Sequence, residues 1–194
     1  MRNSNPVDVF IPEELDEEQR MVRTMVREFV DAEIRPHTAE IEKQLDGIGK
    51  RIIERMGELG LLNAHIPESY GGTAMDFNTN TVISEEIGCS GSPSVSFAAH
   101  TGIGMLPILY YGTEAQKQKY LPGLGMGTLK ASYCLTEPGS GSDALAAKTR
   151  ADISADGSHY VLNGQKMWIT NAGFADVFIV FAQIEGTKDR KSVV

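Results

Sequence analysis

Two stretches of this 194-residue sequence carry residues of the types that bind ligands and do chemistry. The first is Tyr133-Cys134-Leu135-Thr136-Glu137-Pro138-Gly139-Ser140-Gly141-Ser142-Asp143, an apolar run that opens into small and hydroxylated residues. A loop of that composition can turn several N–H groups toward one anion, because Gly139 and Gly141 permit the backbone angles and Ser140 and Ser142 add hydroxyl donors. By pattern alone, a polar surface turn is the plainer reading. The second stretch is Asn163-Gly164-Gln165-Lys166-Met167-Trp168-Ile169-Thr170-Asn171, which contains the one tryptophan of the chain. Read as a strand, it places Trp168 and Thr170 on the same face, an aromatic wall beside a donor, which suits a flat ring with polar edges. A lone tryptophan on a strand is more often core. Glu137 and Asp143 flank the first loop and invite assignment as a general base; side chains that order the loop are the preferred reading. His100, beside Ala98 and Ala99, reads as a packed residue rather than as a ligand or acid.

The elements that must position these stretches follow from periodicity. Val22, Met25, Val26, Phe29, Val30 and Ile34 recur at spacings of three and four, predicting a helix over 16–35 that opens with an Asp16/Gln19 capping box and stops at Pro36. Further helices are expected over 49–59 with Gly60 as a left-handed cap, over 77–87, over 95–111 as a buried element, and over 114–121 behind a Thr113/Gln116 capping box. Near 123–127 the pattern changes to short alternating runs. Strands are expected over 130–135, 148–153, 159–162, 166–169 and 177–183, with Asp156-Gly157 and Asn163-Gly164 as hairpin turns. Helices first and strands second argue an α+β fold with segregated parts: residues 1–125 as a helical domain and 126–194 as a β domain.

Composition excludes several classes. A formal charge of −8, from 26 acidic and 18 basic side chains, offers no basic stripe for a nucleic acid. Cys89 and Cys134 lie far apart in apolar settings, which suggests neither a disulfide framework nor a zinc site and fits a reducing compartment. Residues 1–12 lack the apolar run of a signal peptide, and no stretch approaches the ~20 apolar residues of a membrane span, so a cytoplasmic location is expected. No dinucleotide fingerprint, P-loop, nucleophile elbow or paired-histidine zinc motif is present, and no metal site is expected.

The two stretches quoted above resemble the acyl-CoA dehydrogenase family. Thr113-Glu114-Ala115-Gln116-Lys117-Gln118-Lys119-Tyr120-Leu121-Pro122 is similar to the end of that family's helical domain, and Ile66-Pro67-Glu68-Ser69-Tyr70-Gly71-Gly72 to its early loop. The resemblance implies an all-α N-terminal domain followed by an incomplete antiparallel β-barrel. It implies FAD as cofactor, bordered by Tyr133, Leu135, Thr136, Gly141, Ser142, Trp168, Ile169 and Thr170, with Ser142 also touching the CoA substrate. It further implies α,β-dehydrogenation of an acyl-CoA thioester in fatty-acid or branched-chain acyl breakdown, with electrons passed to an electron-transferring flavoprotein, in a homo-oligomer. In such enzymes the catalytic glutamate comes from a C-terminal bundle, so the chain is expected to be a fragment that ends before its base and before its barrel closes, with little or no dehydrogenase activity by itself. An unpaired strand edge is expected near 177–183. An acyl-CoA oxidase and a truncated, non-catalytic interaction module are the alternatives.

Overall fold

The computed structural model describes residues 14–184; the 1–12 segment read for a leader and the 186–194 tail lie outside the described residues. Helix α1, Glu17–Phe29, starts where the sequence says it should. The Asp16 carboxylate accepts the Gln19 N–H at 2.7 Å, and the Gln19 side chain accepts the Asp16 N–H at 3.2 Å. The expected run to residue 35 does not keep α geometry. It widens into a π-helical turn over Val30–Ile34 and tightens into a single 3-10 turn over Arg35–His37. Pro36 therefore re-gauges the helical path instead of stopping it, since it has no N–H to return to the Ala32 carbonyl. A short α2, Thr38–Glu42, follows.

Helix α3, Ile48–Glu58, buries Ile52, Ile53 and Met56. It ends as expected on Gly60, whose φ of +72° lets Leu61 N–H reach the Met56 carbonyl at 2.9 Å and Gly60 N–H the Gly57 carbonyl at 3.0 Å. Helix α4, Phe77–Gly88, packs on α1, with Val26 and Phe29 of one meeting Ile83 and Ile87 of the other in the first core. The buried element expected over 95–111 is α5, Ser92–Ala98, a π-helical turn over Ala99–Gly104, and α6, Leu106–Tyr111. Helix α7, Glu114–Gly125, opens on the Thr113/Gln116 capping box and runs four residues beyond the expected 121, with Pro122 inside it.

Glycine decides one close approach in this half. A Cβ on Gly57 would lie 2.3 Å from the Met126 carbonyl oxygen and 2.8 Å from the Gly127 nitrogen, main-chain atoms that cannot rotate away. Gly57→Ala is expected to destabilise the fold by about 2–3 kcal/mol, the cost of overpacking a tight contact; chemical denaturation of the variant measures it.

The β part departs from the expectation. Strand β1, Ala131–Cys134, pairs in parallel with β4, Val177–Val180, in the register Ala131↔Val177 to Cys134↔Val180. Strand β2, Arg150–Ile153, lies between β3, Tyr160–Asn163, which is antiparallel to it, and β5, Gln183–Ile184, which is parallel. Among the described residues these are two small open sheets, one of two parallel strands and one of three strands in mixed directions, and no closed barrel is seen. The expected 177–183 edge is partly covered, because β4 has β1 as a neighbour. The Asp156-Gly157 hairpin signal is borne out: Gly157 takes φ +70° and Asp156 accepts the Ser158 N–H at 3.1 Å in the turn between β2 and β3. Asn163-Gly164 is not a hairpin, since the segment directly after it is not a strand and the next one, β4, begins only at Val177. Gly164 is instead a contact point, where a Cβ would lie 2.3 Å from the Thr149 hydroxyl.

A second core, including Ile66, Met105, Leu121, Leu124, Ala131 and Ile179, joins helices and sheet. His100 pins the same seam. It is fully buried; its Nδ1 accepts the Ala131 N–H at 3.0 Å and its Nε2 lies 3.0 Å from the Leu124 carbonyl. The packed-residue reading holds. No described helix is long and apolar enough to cross a membrane.

Candidate functional site

Strand β1 delivers the first motif. Beyond Cys134 the chain leaves the ladder, and Leu135 and Thr136 continue as half-buried, irregular backbone. A tight turn follows, with Glu137 N–H donating to the Ser140 carbonyl at 2.9 Å and Ser140 N–H to the Glu137 carbonyl at 3.0 Å. The Ser140 hydroxyl donates to the Asp143 carbonyl at 2.7 Å and closes the loop on itself. The anion nest expected here is not formed by left-handed glycines, because neither Gly139 nor Gly141 adopts a positive φ. What the two glycines provide is clearance: a Cβ on either would meet nothing within 4 Å.

The second motif is not a strand, which corrects the 166–169 expectation. Trp168 has φ +60° and Asn171 φ +66°, left-handed positions that break any period of two. Trp168 and Thr170 therefore do not share a strand face. The indole is 84% exposed, so it is not core either. A bulky residue held in a sparsely populated conformation with its aromatic plate in solvent is a feature of functional sites.

The two motifs lie against each other in opposite directions. Asn171 Nδ2 donates to the Ala131 carbonyl at 3.3 Å, the Ser132 hydroxyl donates to the Thr170 carbonyl, and Met167 N–H donates to the Thr136 carbonyl at 2.9 Å. At the far end Lys166 Nζ reaches the Leu135 carbonyl at 3.0 Å and the Glu137 carboxylate at 2.8 Å. Tyr133, Leu135 and Thr136 are thus brought beside Trp168, Ile169 and Thr170. Gly141 and Ser142 lie past the tight turn, exposed, and none of these tethers reaches them. None of the tethers uses the Thr136 or Thr170 hydroxyl, which leaves two half-buried donors uncommitted beside an exposed indole. The Tyr133 ring packs edge-on to Phe181 with centroids 5.0 Å apart, and burial pushes its phenol up.

Glu137 is the most constrained carboxylate of the site. Burial alone would raise its pKa, but hydrogen bonds from the Lys148 N–H at 2.6 Å, from Lys166 and from the Thr149 N–H at 2.9 Å prevail and hold it at about 2. Both carboxylate oxygens are engaged by the loop, Oε1 by Thr149 N–H and Lys166 and Oε2 by Lys148 N–H, in agreement with the loop-ordering reading. Asp143 orders the loop through its carbonyl. Lys166 and Asn171 were not singled out from sequence, and no local signal marks them, since their partners Leu135, Glu137 and Ala131 lie 29 or more residues away along the chain.

Beside Thr170 a cavity of about 650 Å³ opens between the second motif and the helices, lined in part by Ile48, Ile52, Pro93, Ser96 and Phe174. Asn171 Oδ1 is buried there without a hydrogen-bond partner. Among the described residues no cluster of three potential metal ligands occurs.

Comparison with known proteins adds to this geometry. Residues 16–128 match the family model described as acyl-CoA dehydrogenase, N-terminal domain, and residues 132–194 match acyl-CoA dehydrogenase, middle domain. A probable acyl-CoA dehydrogenase of Bacillus subtilis is 47% identical over 93% of the chain, and a short-chain-specific acyl-CoA dehydrogenase of Clostridium acetobutylicum is 39% identical over 92%. The chain spans 30% and 47% of the lengths of these two relatives. A crystal structure of an acyl-CoA dehydrogenase from Bacillus anthracis complexed with FAD superposes with a TM-score of 0.91 at 46% identity, covering 95% of this chain and 32% of that one.

Proposed function

The chain belongs to the acyl-CoA dehydrogenase family, and from that premise we propose that it builds one wall of an FAD site at which an acyl-CoA thioester is oxidised across its Cα–Cβ bond. The observation that carries the proposal is the hydrogen bond from Met167 N–H to the Thr136 carbonyl, which sets the two motifs side by side with both threonine hydroxyls free. The residues fit the group. The exposed Trp168 indole would offer a face to a tricyclic ring, the Thr136 backbone and hydroxyl and the Leu135 backbone would offer donors to its polar edge, and Thr170 would supply a hydroxyl toward N5. Gly141 and Ser142, exposed beyond the turn, would border the pyrophosphate and the passing CoA. That the matched Bacillus anthracis enzyme is complexed with FAD supports the same cofactor here.

When bound, FAD supplies the hydride acceptor for the β-carbon. The chain's own contribution is positioning and electrostatics. Donors fixed at Thr136 stabilise negative charge on the ring edge without reorganising as it develops. In this reading the cavity beside Thr170 is the recess for the acyl chain, with apolar walls from Ile48, Ile52 and Pro93. Glu137 does not serve as the base that removes the α-proton, because its carboxylate is consumed by the loop. An electron-transferring flavoprotein as electron acceptor and a homo-oligomeric parent belong to the same proposal.

The test uses the full-length protein carrying this sequence. It is expected to purify with FAD and to bleach anaerobically on addition of an acyl-CoA. Thr136→Val is expected to slow bleaching by roughly 100-fold, the lower end of the range for losing one donor to a developing charge, because the Thr136 N–H remains. A protein that takes up no FAD, or whose flavin is reduced by no acyl-CoA of any chain length, overturns the proposal.

A further inference from the structure

Lys166 and Glu137 form an ion pair at 2.8 Å whose side chains are only 12% and 7% exposed. A buried pair of this kind is a poor stabiliser, since the desolvation of two charges offsets most of their attraction and apolar residues in the same space commonly do as well. Its hydrogen bonds point to a different service. The ammonium donates to the Leu135 carbonyl at 3.0 Å as well as to Glu137. The peptide group joining Leu135 to Thr136 is planar and trans, so its C=O and its N–H point to opposite sides. Holding the Leu135 oxygen on the ammonium therefore fixes the direction of the Thr136 N–H, opposite to that oxygen. The next carbonyl, that of Thr136, is held in turn by Met167 N–H at 2.9 Å, one residue from Lys166. No backbone bond among the described residues takes up the Thr136 N–H. Glu137, anchored by the Lys148 and Thr149 N–H groups, fixes the far end of the arrangement to the start of β2.

We propose that Lys166 is a positioning residue of the flavin site: by gripping the Leu135 carbonyl it aims the Thr136 N–H at the ring edge, and Glu137 holds the ammonium in place. The inference rests on the FAD reading given above. It separates the role of the lysine charge, which makes the grip, from the role of the threonine, which makes the contact.

The experiment compares Lys166→Met and Lys166→Arg with the unmodified full-length protein. In the flavin-free state, amide exchange at Met167 is read by hydrogen–deuterium exchange. In the loaded state, the FAD dissociation constant and the position of the long-wavelength flavin band are read. Lys166→Met is expected to speed exchange at Met167 at least tenfold, to weaken FAD binding at least tenfold and to shift the band. Lys166→Arg, which keeps a donor for the Leu135 carbonyl, is expected to restore most of both. A Lys166→Met protein that binds FAD with unchanged affinity and spectrum overturns the inference, whatever its melting temperature. Equal loss in both variants also overturns it, because packing volume and not the grip would then be at stake. An unmodified protein that binds no FAD sinks the functional reading instead, an outcome visible before any variant is made.

Discussion

His100→Leu is expected to lower stability by roughly 2–3 kcal/mol, because it leaves the buried Ala131 N–H without its acceptor, at about 1–3 kcal/mol, and takes one of two donors from the Leu124 carbonyl, which keeps the Gly127 N–H at 3.1 Å. Beside a fully buried side chain, the Ala131 N–H has no water to turn to. Since Nδ1 accepts from Ala131, the ring proton sits on Nε2 and donates to Leu124, so the neutral ring alone fits. Burial drives the His100 pKa down to about 4; the bond to Leu124 opposes this, and the nearby Lys130 and His65 add to the lowering. The unfolded chain protonates this histidine near 6.5, so between pH 6.5 and 4 the unfolded state binds the additional proton and stability falls as pH falls. The contribution is complete above pH 6.5 and is lost by about pH 4, amounting to on the order of 3 kcal/mol. Denaturant melts across that window check it. His100→Gln, whose amide can accept from Ala131 and donate to Leu124, is expected to recover part of the stability at pH 7 and to flatten its dependence on pH between 4 and 6.5. A pH profile identical in the two proteins would show that His100 is not the responsible group.

The second large effect is expected at Glu137. Glu137→Gln leaves the Lys166 ammonium buried without its anion and turns one acceptor of the Lys148 and Thr149 N–H groups into a donor, a loss of about 3–5 kcal/mol for a broken buried pair. Adding Lys166→Met to that variant is expected to return a substantial part, because the second substitution removes the stranded charge. The double-mutant cycle then yields a coupling energy of about 1–3 kcal/mol. Additive losses would mean that the two side chains do not act on each other. The acid limb has its own signature. A carboxylate held at about 2 in the folded chain and near 4.5 in the unfolded one stabilises above pH 4.5, and that contribution disappears as pH falls toward 2. It lies below the histidine window, so the two groups can be told apart in one titration.

Local signals in this chain were legible because their physics is local. Asp16 and Gln19, Thr113 and Gln116, Gly60, and Asp156-Gly157 each act on main-chain groups within three or four residues, and each is found doing so. The order of helices before strands, and the two motifs that line the candidate site, were likewise written in the sequence. Three things were not. The parallel pairing of β1 with β4 joins strands more than forty residues apart, and an apolar alternation has no memory of its partner's direction. The second motif reads as a strand by period, yet Met167 and Asn171 are claimed by Thr136 and Ala131 of the first, and those tethers hold Trp168 in a left-handed conformation that no local preference would choose. The Lys166–Glu137 pair spans 29 residues, and only burial makes it matter. Sequence determined which segments could form caps, turns and a ligand-bordering loop, since these depend on neighbours along the chain. Tertiary structure decided where the tryptophan stands and which carbonyl a lysine grips, because those depend on groups that become neighbours only when water has been excluded between them.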